Sequence, residues 1–152
     1  MSNEDAIKSF WRTAKAEKKL QGEYVSVFGF GDNKALKDEL IQLVLQGDKR
    51  ATASLVKEIE LTEEPEPKEG EYNILLDGDD RPRAVMKTTS VERVRFKDVS
   101  PSFAWAEGEG DRSLESWRKE HIKYWKRVGE KLGFTFNEDM EIILERFELL
   151  YP

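Results

Sequence analysis

The sequence predicts an α+β fold in which a mostly antiparallel sheet curls into a small barrel with flanking α-helices. Two stretches with helical spacing of apolar residues come first, at 3–20 and 35–46, and Gly22 and Gly47 follow them. Several segments with the character of strands come next, followed by one long helix and a final strand. Helices and strands that are segregated along the chain in this way are typical of α+β domains.

The middle of the chain is predicted to form strands around one surface loop. Residues 52–61 alternate weakly between apolar and polar, and a connector rich in proline and glutamate follows at 63–69. Residues 72–76 and 84–96 have the character of strands and are separated by the turn sequence Asp77-Gly78-Asp79-Asp80. These two segments are therefore predicted to form a hairpin.

The last third of the chain contains the longest apolar stripe with helical spacing. Ser113 is predicted to cap the N-terminus of this helix, and Gly133 is predicted to end it. Trp117 and Trp125 lie eight residues apart and therefore on nearly one face, so we expect them to pack on the sheet. The alternative is that this helix forms an interface with another chain. A final strand is predicted at 140–150.

The composition indicates one folded domain over residues 1–152. This length is typical of a single compact domain, and an apolar content of 38% is enough to form its core. The chain has no cysteine, and its first ten residues lack the basic start and apolar run of a signal peptide. We therefore expect a cytoplasmic protein that does not associate with a membrane. The sequence favours no particular oligomeric state.

The charge distribution is uneven along the chain. A formal net charge of −6 argues against tight, indiscriminate binding of polyanions, which depends on many lysines and arginines. Residues 81–97, called here the basic strip, nevertheless contain six basic residues and one acidic residue. One face of the protein is therefore predicted to attract a polyanion such as RNA.

One candidate site begins where the second helix ends, in the sequence GDKRATAS at 47–54. Lys49, Arg50, Thr52 and Ser54 are predicted to lie at the mouth of a pocket. Arg50 beside Lys49 is expected to lower the pKa of the lysine, which would allow Lys49 to take a proton from Thr52. The alternative is that the two cations only complement the helix dipole.

A second motif, FAWAEGEGD at 103–111, is expected to supply the opposite charge. In an extended segment Glu107 and Glu109 project to the same side, and their repulsion is expected to raise one pKa into the range of a general acid. Glu109 is predicted to orient or protonate the substrate, and Glu107 to contact it. The alternative is an acidic loop before a helix N-terminus.

The aromatic residues and the single histidine complete the candidate site. Trp105 and Tyr124 are predicted to form the wall of the cleft, against which a base would stack. His121 is predicted to lie on a helix surface. No cofactor or metal is expected if these residues alone carry out the chemistry. In a nuclease the acidic residues of the 103–111 motif would hold Mg²⁺ or Mn²⁺, with solvated acids as the alternative.

The turn Gly31-Asp32-Asn33, these two motifs and the closing sequence MEIILERFELLYP together resemble the ASCH domain family. The resemblance covers residues 11–151 and implies a β-barrel related to the PUA domain, with a cleft that binds RNA or a nucleoside. Some members of the broader family are amidohydrolases that remove the acetyl group from N4-acetylcytidine. By this resemblance the lysine, threonine and glutamate of their reaction correspond to Lys49, Thr52 and Glu109.

Three functions therefore stay open. The first is hydrolysis of a modified nucleoside or RNA by Lys49, Thr52 and Glu109, with Arg50 holding a phosphate or carbonyl oxygen. The second is a noncatalytic RNA-binding module that uses the cleft and the basic strip. The third is a metal-dependent ribonuclease, since other members of the family resemble ribonucleases.

Overall fold

The computed structural model describes residues 3–152. These residues form five α-helices, one short 3-10 helix and five β-strands. In chain order the elements are α1 Asn3–Lys18, β1 Tyr24–Phe28, α2 Lys34–Gln46, β2 Ala51–Leu55, α3 Val56–Thr62, β3 Tyr72–Leu76, β4 Pro82–Arg95, the 3-10 helix Phe96–Asp98, α4 Pro101–Glu107, α5 Leu114–Leu132 and β5 Glu141–Tyr151.

The five strands form one mixed sheet in the order β1-β3-β4-β5-β2. Strands β1 and β3 are parallel, and every other neighbouring pair is antiparallel. The α+β class is therefore confirmed. Within residues 3–152 the sheet is open, with β1 and β2 as its edges, so the predicted barrel is not confirmed.

Three elements differ from the sequence-based expectation. The predicted strand at 52–61 ends at Leu55, and its second half is helix α3. Strand β1 was not predicted, and it pairs with β3 across more than 40 residues of sequence. The motif at 103–111 begins inside helix α4, for which Ser100 is the N-cap and Pro101 is a first-turn residue. The hairpin of β3 and β4 is confirmed.

The helix ends carry the capping residues that the sequence indicates. Asn33 accepts a hydrogen bond from the backbone N–H of Leu36 at the start of α2. Gly47 ends this helix in the left-handed conformation, with φ of 99°. Ser113 and Gly133 cap the two ends of α5, as predicted. These caps fix where α2 and α5 begin and end, and residues within both helices line the candidate site described below.

The largest core cluster lies between α4, α5 and the sheet. Trp117 and Trp125 of α5 pack on Phe96 at centroid distances of 5.4 and 5.9 Å, and Ile142 of β5 is fully buried in the same cluster. The predicted packing of the two tryptophans on the sheet is therefore confirmed. Burial of each such side chain stabilises the fold by about 1.5–3 kcal/mol. This packing holds α5 in a fixed position against the sheet.

The connector between α3 and β3 is attached to strand β4. Glu66 in this connector forms an ion pair with Arg93 of β4. The backbone N–H of Lys68 donates to the carboxylate of Glu71. The connector is thereby attached to β4 at one point and braced internally at another. In the described part of the chain, no helix is both long enough and apolar enough to span a membrane.

Candidate functional site

A cavity of about 730 Å³ lies between the sheet, α5 and the connector. Residues 25–29 of the edge strand β1 and its following loop line it, and so do residues 52–54 of the opposite edge strand β2. His121, Tyr124 and Trp125 of α5 form another wall. Because both edges of the sheet reach the same cavity, the open sheet must curve around it.

Lys49 is a buried cation that lines this cavity, and its side chain is 1% exposed. Its Nζ atom lies 3.1 Å from Oε1 of Glu107 and 2.8 Å from Oε2 of Glu109. The same atom donates to the backbone carbonyl of Ala51 at 2.8 Å and lies 5.0 Å from the ring centroid of Phe30. The two sequence motifs therefore meet at one buried ammonium group.

The backbone around Lys49 is held by α2 and α4. The N–H groups of Asp48 and Lys49 both donate to the carbonyl of Leu43, and the N–H of Arg50 donates to the carbonyl of Ala106 at 2.7 Å. Gly108 follows α4 with φ of 72°, and a Cβ there would lie 2.1 Å from the carbonyl oxygen of Asp48. Only glycine allows the two motifs to approach this closely.

Glu107 is the second buried charge, with 2% of its side chain exposed. One of its oxygens accepts from Lys49, and the other is within contact of His121 Nε2 at 3.2 Å and of the Trp117 indole N–H. His121 also has Nδ1 2.8 Å from the carbonyl of Trp117 and stacks on the indole at 4.1 Å. The prediction that His121 lies on a helix surface is therefore wrong.

The charges of this cluster stabilise one another. Burial alone would lower the pKa of Lys49, but the carboxylates of Glu107 and Glu109 outweigh it and raise this pKa above its ordinary value. Burial alone would raise the pKa of Glu107, but Lys49 and His121 hold it well below its usual range. The pKa of His121 is raised, because Glu107 outweighs the effect of burial.

These directions correct two expectations about the chemistry. A lowered pKa of Lys49 was expected from the neighbouring guanidinium, but the guanidinium of Arg50 donates to the carbonyls of Val44 and Lys49 instead. A raised pKa in the acidic pair was expected from repulsion, but Lys49 lies between the two carboxylates. The contacts of Lys49 with the two carboxylates favour its charged form as a donor, and its predicted catalytic role remains a prediction.

Six of the eight residues predicted to form the site line the cavity. They are Lys49 before β2, Thr52 and Ser54 on β2, Glu107 at the end of α4, Glu109 in the following loop, and Tyr124 on α5. Thr52 and Ser54 lie on one face of β2, and Thr52 is paired with Glu145 of β5. Burial, followed by the nearby acids, raises the pKa of Tyr124 to about 12. Their predicted roles remain predictions.

Arg50 and Trp105 are not among the residues that line the cavity. Arg50 braces the end of α2 through the two carbonyls described above. The Trp105 side chain is 59% exposed, and the guanidinium of Arg112 covers its ring at 3.8 Å. The structure therefore places Trp105 outside the predicted cleft wall.

Sequence reasoning missed two buried polar residues of the cavity, Asn73 and Glu145. They are 4% and 5% exposed. The signal was available, since each interrupts an apolar strand, in YNILL and in EIILERFELLY. A polar group inside such a strand costs free energy unless it has a partner.

The cavity is predominantly acidic. Apart from His121, the basic residues that line it are Lys49 and Arg127. The carboxylate side chains that line it are Glu39, Glu58, Glu64, Glu107, Glu109, Glu120 and Glu145. A lining of this composition is unfavourable for a phosphate chain and tolerates a neutral heterocycle.

The acidic motif does not converge into a metal site. Glu107 is occupied by Lys49 and His121, Glu109 binds Lys49, and Asp111 accepts from the backbone of Ser113. Across residues 3–152 no group of three or more histidine, cysteine, aspartate or glutamate side chains is placed to hold a metal ion.

The basic strip is partly neutralised by ion pairs. Arg83 lies 3.4 Å from Asp77, Lys97 lies 2.7 Å from Asp139, and Arg93 pairs with Glu66 of the connector. A strip whose charges already have partners has a weaker field for a polyanion than its sequence suggests.

Comparison with known proteins identifies the family. The model of the ASCH domain matches residues 26–151, which is most of the chain. The chain belongs to the ASCH domain family. This family has a PUA-like fold and is often linked to RNA binding.

Two solved structures are similar to this ASCH domain over nearly their whole length. The ASCH domain from Lactobacillus crispatus JV V101 is 29% identical, with a TM-score of 0.86, and the match covers 99% of this chain and 94% of that chain. A protein from Enterococcus faecalis V583 is 34% identical, with a TM-score of 0.88 and coverage of 97% and 89%. No curated protein matches the sequence.

Proposed function

We propose that this ASCH domain binds a nucleoside, free or within RNA, in its cavity and hydrolyses an amide on the base, as in N4-acetylcytidine. The observation that supports this most directly is the buried Lys49 ammonium, held between Glu107 and Glu109 in a cavity that Thr52 also lines. A fixed cation in a sheltered cavity can stabilise the oxyanion of an attacked amide.

Three side chains, Glu109, Lys49 and Thr52, take part in the proposed hydrolysis of the amide. The Glu109 carboxylate, which is 31% exposed, takes a proton from a water molecule as the water oxygen forms a bond to the acyl carbon. The three N–H groups of Lys49 donate to Ala51, Glu107 and Glu109 before the step. Once Glu109 is protonated, the N–H that it held is released and donates, with the Thr52 hydroxyl, to the oxygen that becomes negative. The C–N bond then breaks, and the proton passes from Glu109 to the departing base nitrogen. Water and the amide are thereby converted to a carboxylic acid and the amino base.

The charge of Lys49 distinguishes this step from attack by a threonine that a lysine activates. Neighbouring carboxylates raise the pKa of Lys49, so a neutral amine is scarce at neutral pH. Glu107 has no free oxygen for the substrate, because Lys49, His121 and Trp117 occupy both. We therefore assign Glu107 the positioning of Lys49, and Glu109 the role of general base.

A nucleoside fits the electrostatics better than a long strand does. The cavity volume of about 730 Å³ is typical of small-molecule sites. Its many carboxylates repel phosphates, and half of the basic strip is engaged in ion pairs. The noncatalytic RNA-binding module remains the alternative outcome of the assay described next.

The test is mass spectrometry of N4-acetylcytidine, as the nucleoside and within a short RNA, incubated with and without a chelator. We expect loss of the acetyl group with the wild-type protein. Glu109→Gln should reduce the rate by about 10²–10⁴-fold while retaining a hydrogen bond to Lys49. The matched control is Glu120→Gln, which neutralises another cavity carboxylate that is exposed and has no contact with Lys49.

The outcomes separate the three functions. Normal turnover by Glu109→Gln would refute the assigned general base. Chelator-sensitive strand cleavage would identify a metal-dependent ribonuclease instead. Salt-dependent binding of the RNA without any change of mass would identify the noncatalytic module.

A further inference from the structure

We propose that Asn73 and Glu145 form a subsite that reads the edge of an amino-oxo nucleobase, with Asn73 donating to its carbonyl and Glu145 accepting from its amino group. This inference rests on the proposed function in that both use the same cavity. The inference goes beyond the proposed function because neither residue takes part in the hydrolytic step. Instead, the two residues determine which base the cavity binds.

Asn73 is held in one orientation by its neighbour on β1. The hydroxyl of Ser26 donates to the Asn73 side-chain oxygen at 2.6 Å, and the residue is 4% exposed. Both residues line the cavity. Within residues 3–152 no hydrogen-bond acceptor is paired with the Asn73 NH₂ group. A buried amide with its oxygen engaged therefore presents two N–H donors to the cavity.

Glu145 is oriented in the same way from the other side. The hydroxyl of Thr88 donates to its Oε2 atom at 2.6 Å, and the residue is 5% exposed. Its Oε1 atom has no partner among the described residues, and Glu145 lines the cavity. The arrangement leaves one carboxylate oxygen as an acceptor for a ligand.

The sheet keeps the donor and the acceptor well apart. Asn73 is on β3 and Glu145 on β5, with β4 between them. At the usual strand spacing the two strand axes lie about 9.5 Å apart. The register adds an offset along the strands, since Asn73 is opposite Met86 of β4 and Glu145 is opposite Val91. The Glu145 carboxylate reaches back to Thr88, two positions from Met86. The two side chains therefore line one cavity at separate points and suit groups at opposite ends of a ring edge, not two adjacent groups.

That spacing and polarity select among the bases. Cytosine has its O2 acceptor and its N4 amino donor at opposite ends of the Watson–Crick edge, and guanine has O6 and N2 in the same relation. Uracil has an acceptor at both ends, so its O4 would face the Glu145 carboxylate. Adenine has no carbonyl for Asn73. Bases taken out of a stack are commonly read along this edge.

One substitution at each of the two positions exchanges a hydrogen-bond donor for an acceptor, or the reverse, on the side that faces the ligand. Each keeps the hydrogen bond to the neighbouring hydroxyl of the protein. Glu145→Gln can still accept from Thr88, but it presents an NH₂ donor where the acceptor was. Asn73→Asp can still accept from Ser26, but it presents an acceptor where the donor was. Glu120→Gln is the control for loss of one negative charge at the cavity.

The experiment is calorimetric titration of the wild-type protein and these variants with cytidine, uridine and adenosine. Circular dichroism would first establish that each variant is folded. We expect the wild-type protein to bind cytidine at least about tenfold more tightly than uridine or adenosine, since the wrong base leaves a buried polar group unpaired. Glu145→Gln should remove or invert the preference for cytidine over uridine, and Asn73→Asp should weaken both.

Each contrary result has a distinct meaning. Equal affinity of the wild-type protein for cytidine and uridine, or the same ratio in Glu145→Gln and Glu120→Gln, would overturn the subsite. If the acetyl group of N4-acetylcytidine is still removed in that case, the proposed function stands without it. If the wild-type protein binds none of the three nucleosides, the subsite is overturned; the proposed function is overturned as well only if the acetyl group of N4-acetylcytidine is also retained.

Discussion

Replacement of Lys49 by methionine is expected to destabilise the fold strongly. Methionine has nearly the same length and volume, so the change removes the charge without leaving a large cavity. The carboxylate of Glu107, which is 2% exposed, would then lose its contact at 3.1 Å and retain only His121 and Trp117. Glu109, which is 31% exposed, can turn toward solvent.

The magnitude follows from the burial of Glu107. Removal of one partner of a buried ion pair usually costs about 3–5 kcal/mol, because the other charge stays buried without compensation. The remaining contact with His121 favours the lower end, about 3 kcal/mol. For a chain of this length each kcal/mol lowers Tm by roughly 2–4 °C, so a decrease on the order of 10 °C is expected.

Urea unfolding of the wild-type protein, Lys49→Met and Lys34→Met gives the comparison. Lys34 also lies between two carboxylates, at 3.1 Å from both Asp38 and Asp79, but its side chain is 62% exposed. Its replacement should therefore have little effect on the free energy of unfolding. Addition of Glu107→Gln to Lys49→Met should recover part of the loss, because the uncompensated charge is removed. Equal losses for the two lysines would refute the argument from burial.

Three further predictions concern the same region. The single imidazole of His121 should titrate by proton NMR above its ordinary value, since Glu107 outweighs burial and raises its pKa. The stability that this charge contributes is therefore complete below the unfolded pKa of about 6.5 and is lost as pH rises through the folded pKa. A free energy of unfolding that does not change with pH over that range in the wild-type protein, and is the same in His121→Gln, would contradict this prediction. Gly108→Ala should lower Tm far more than Gly22→Ala, because the new Cβ at Gly108 would lie 2.1 Å from a backbone oxygen, whereas the new Cβ at Gly22 would have no atom within 4 Å. Thermal denaturation compares the two variants. Ultraviolet titration should find the phenol of Tyr124 ionising near pH 12, and loss of the late step in Tyr124→Phe assigns it.

The parts of the fold that were predictable are those with local signals. Asn33 and Gly47 mark α2, and Ser113 and Gly133 mark α5, because capping depends on a few neighbouring residues. The hairpin follows from its short acidic turn. Strand β1 has no such signal, since its parallel pairing with β3 depends on residues far away in the sequence.

Helix α4 was not predicted, although the sequence contains a signal for its start, because Ser100 precedes Pro101. That error mattered for the site. An extended motif would have placed Glu107 and Glu109 side by side, whereas the helix end and Gly108 place them on two sides of Lys49. The composition of the cluster was predictable from charge, but its pKa directions depend on distances that no local pattern encodes.

The connector that borders the cavity has a consequence for the entropy of binding. Pro65 and Pro67 contribute to the cavity lining, and Glu66 between them is bound to Arg93. Proline has a fixed φ, and an anchored loop has few conformations to lose when a ligand binds. We therefore expect this border to be preorganised, so that affinity is not reduced by the ordering of a loop and the shape of the opening itself excludes ligands of the wrong size.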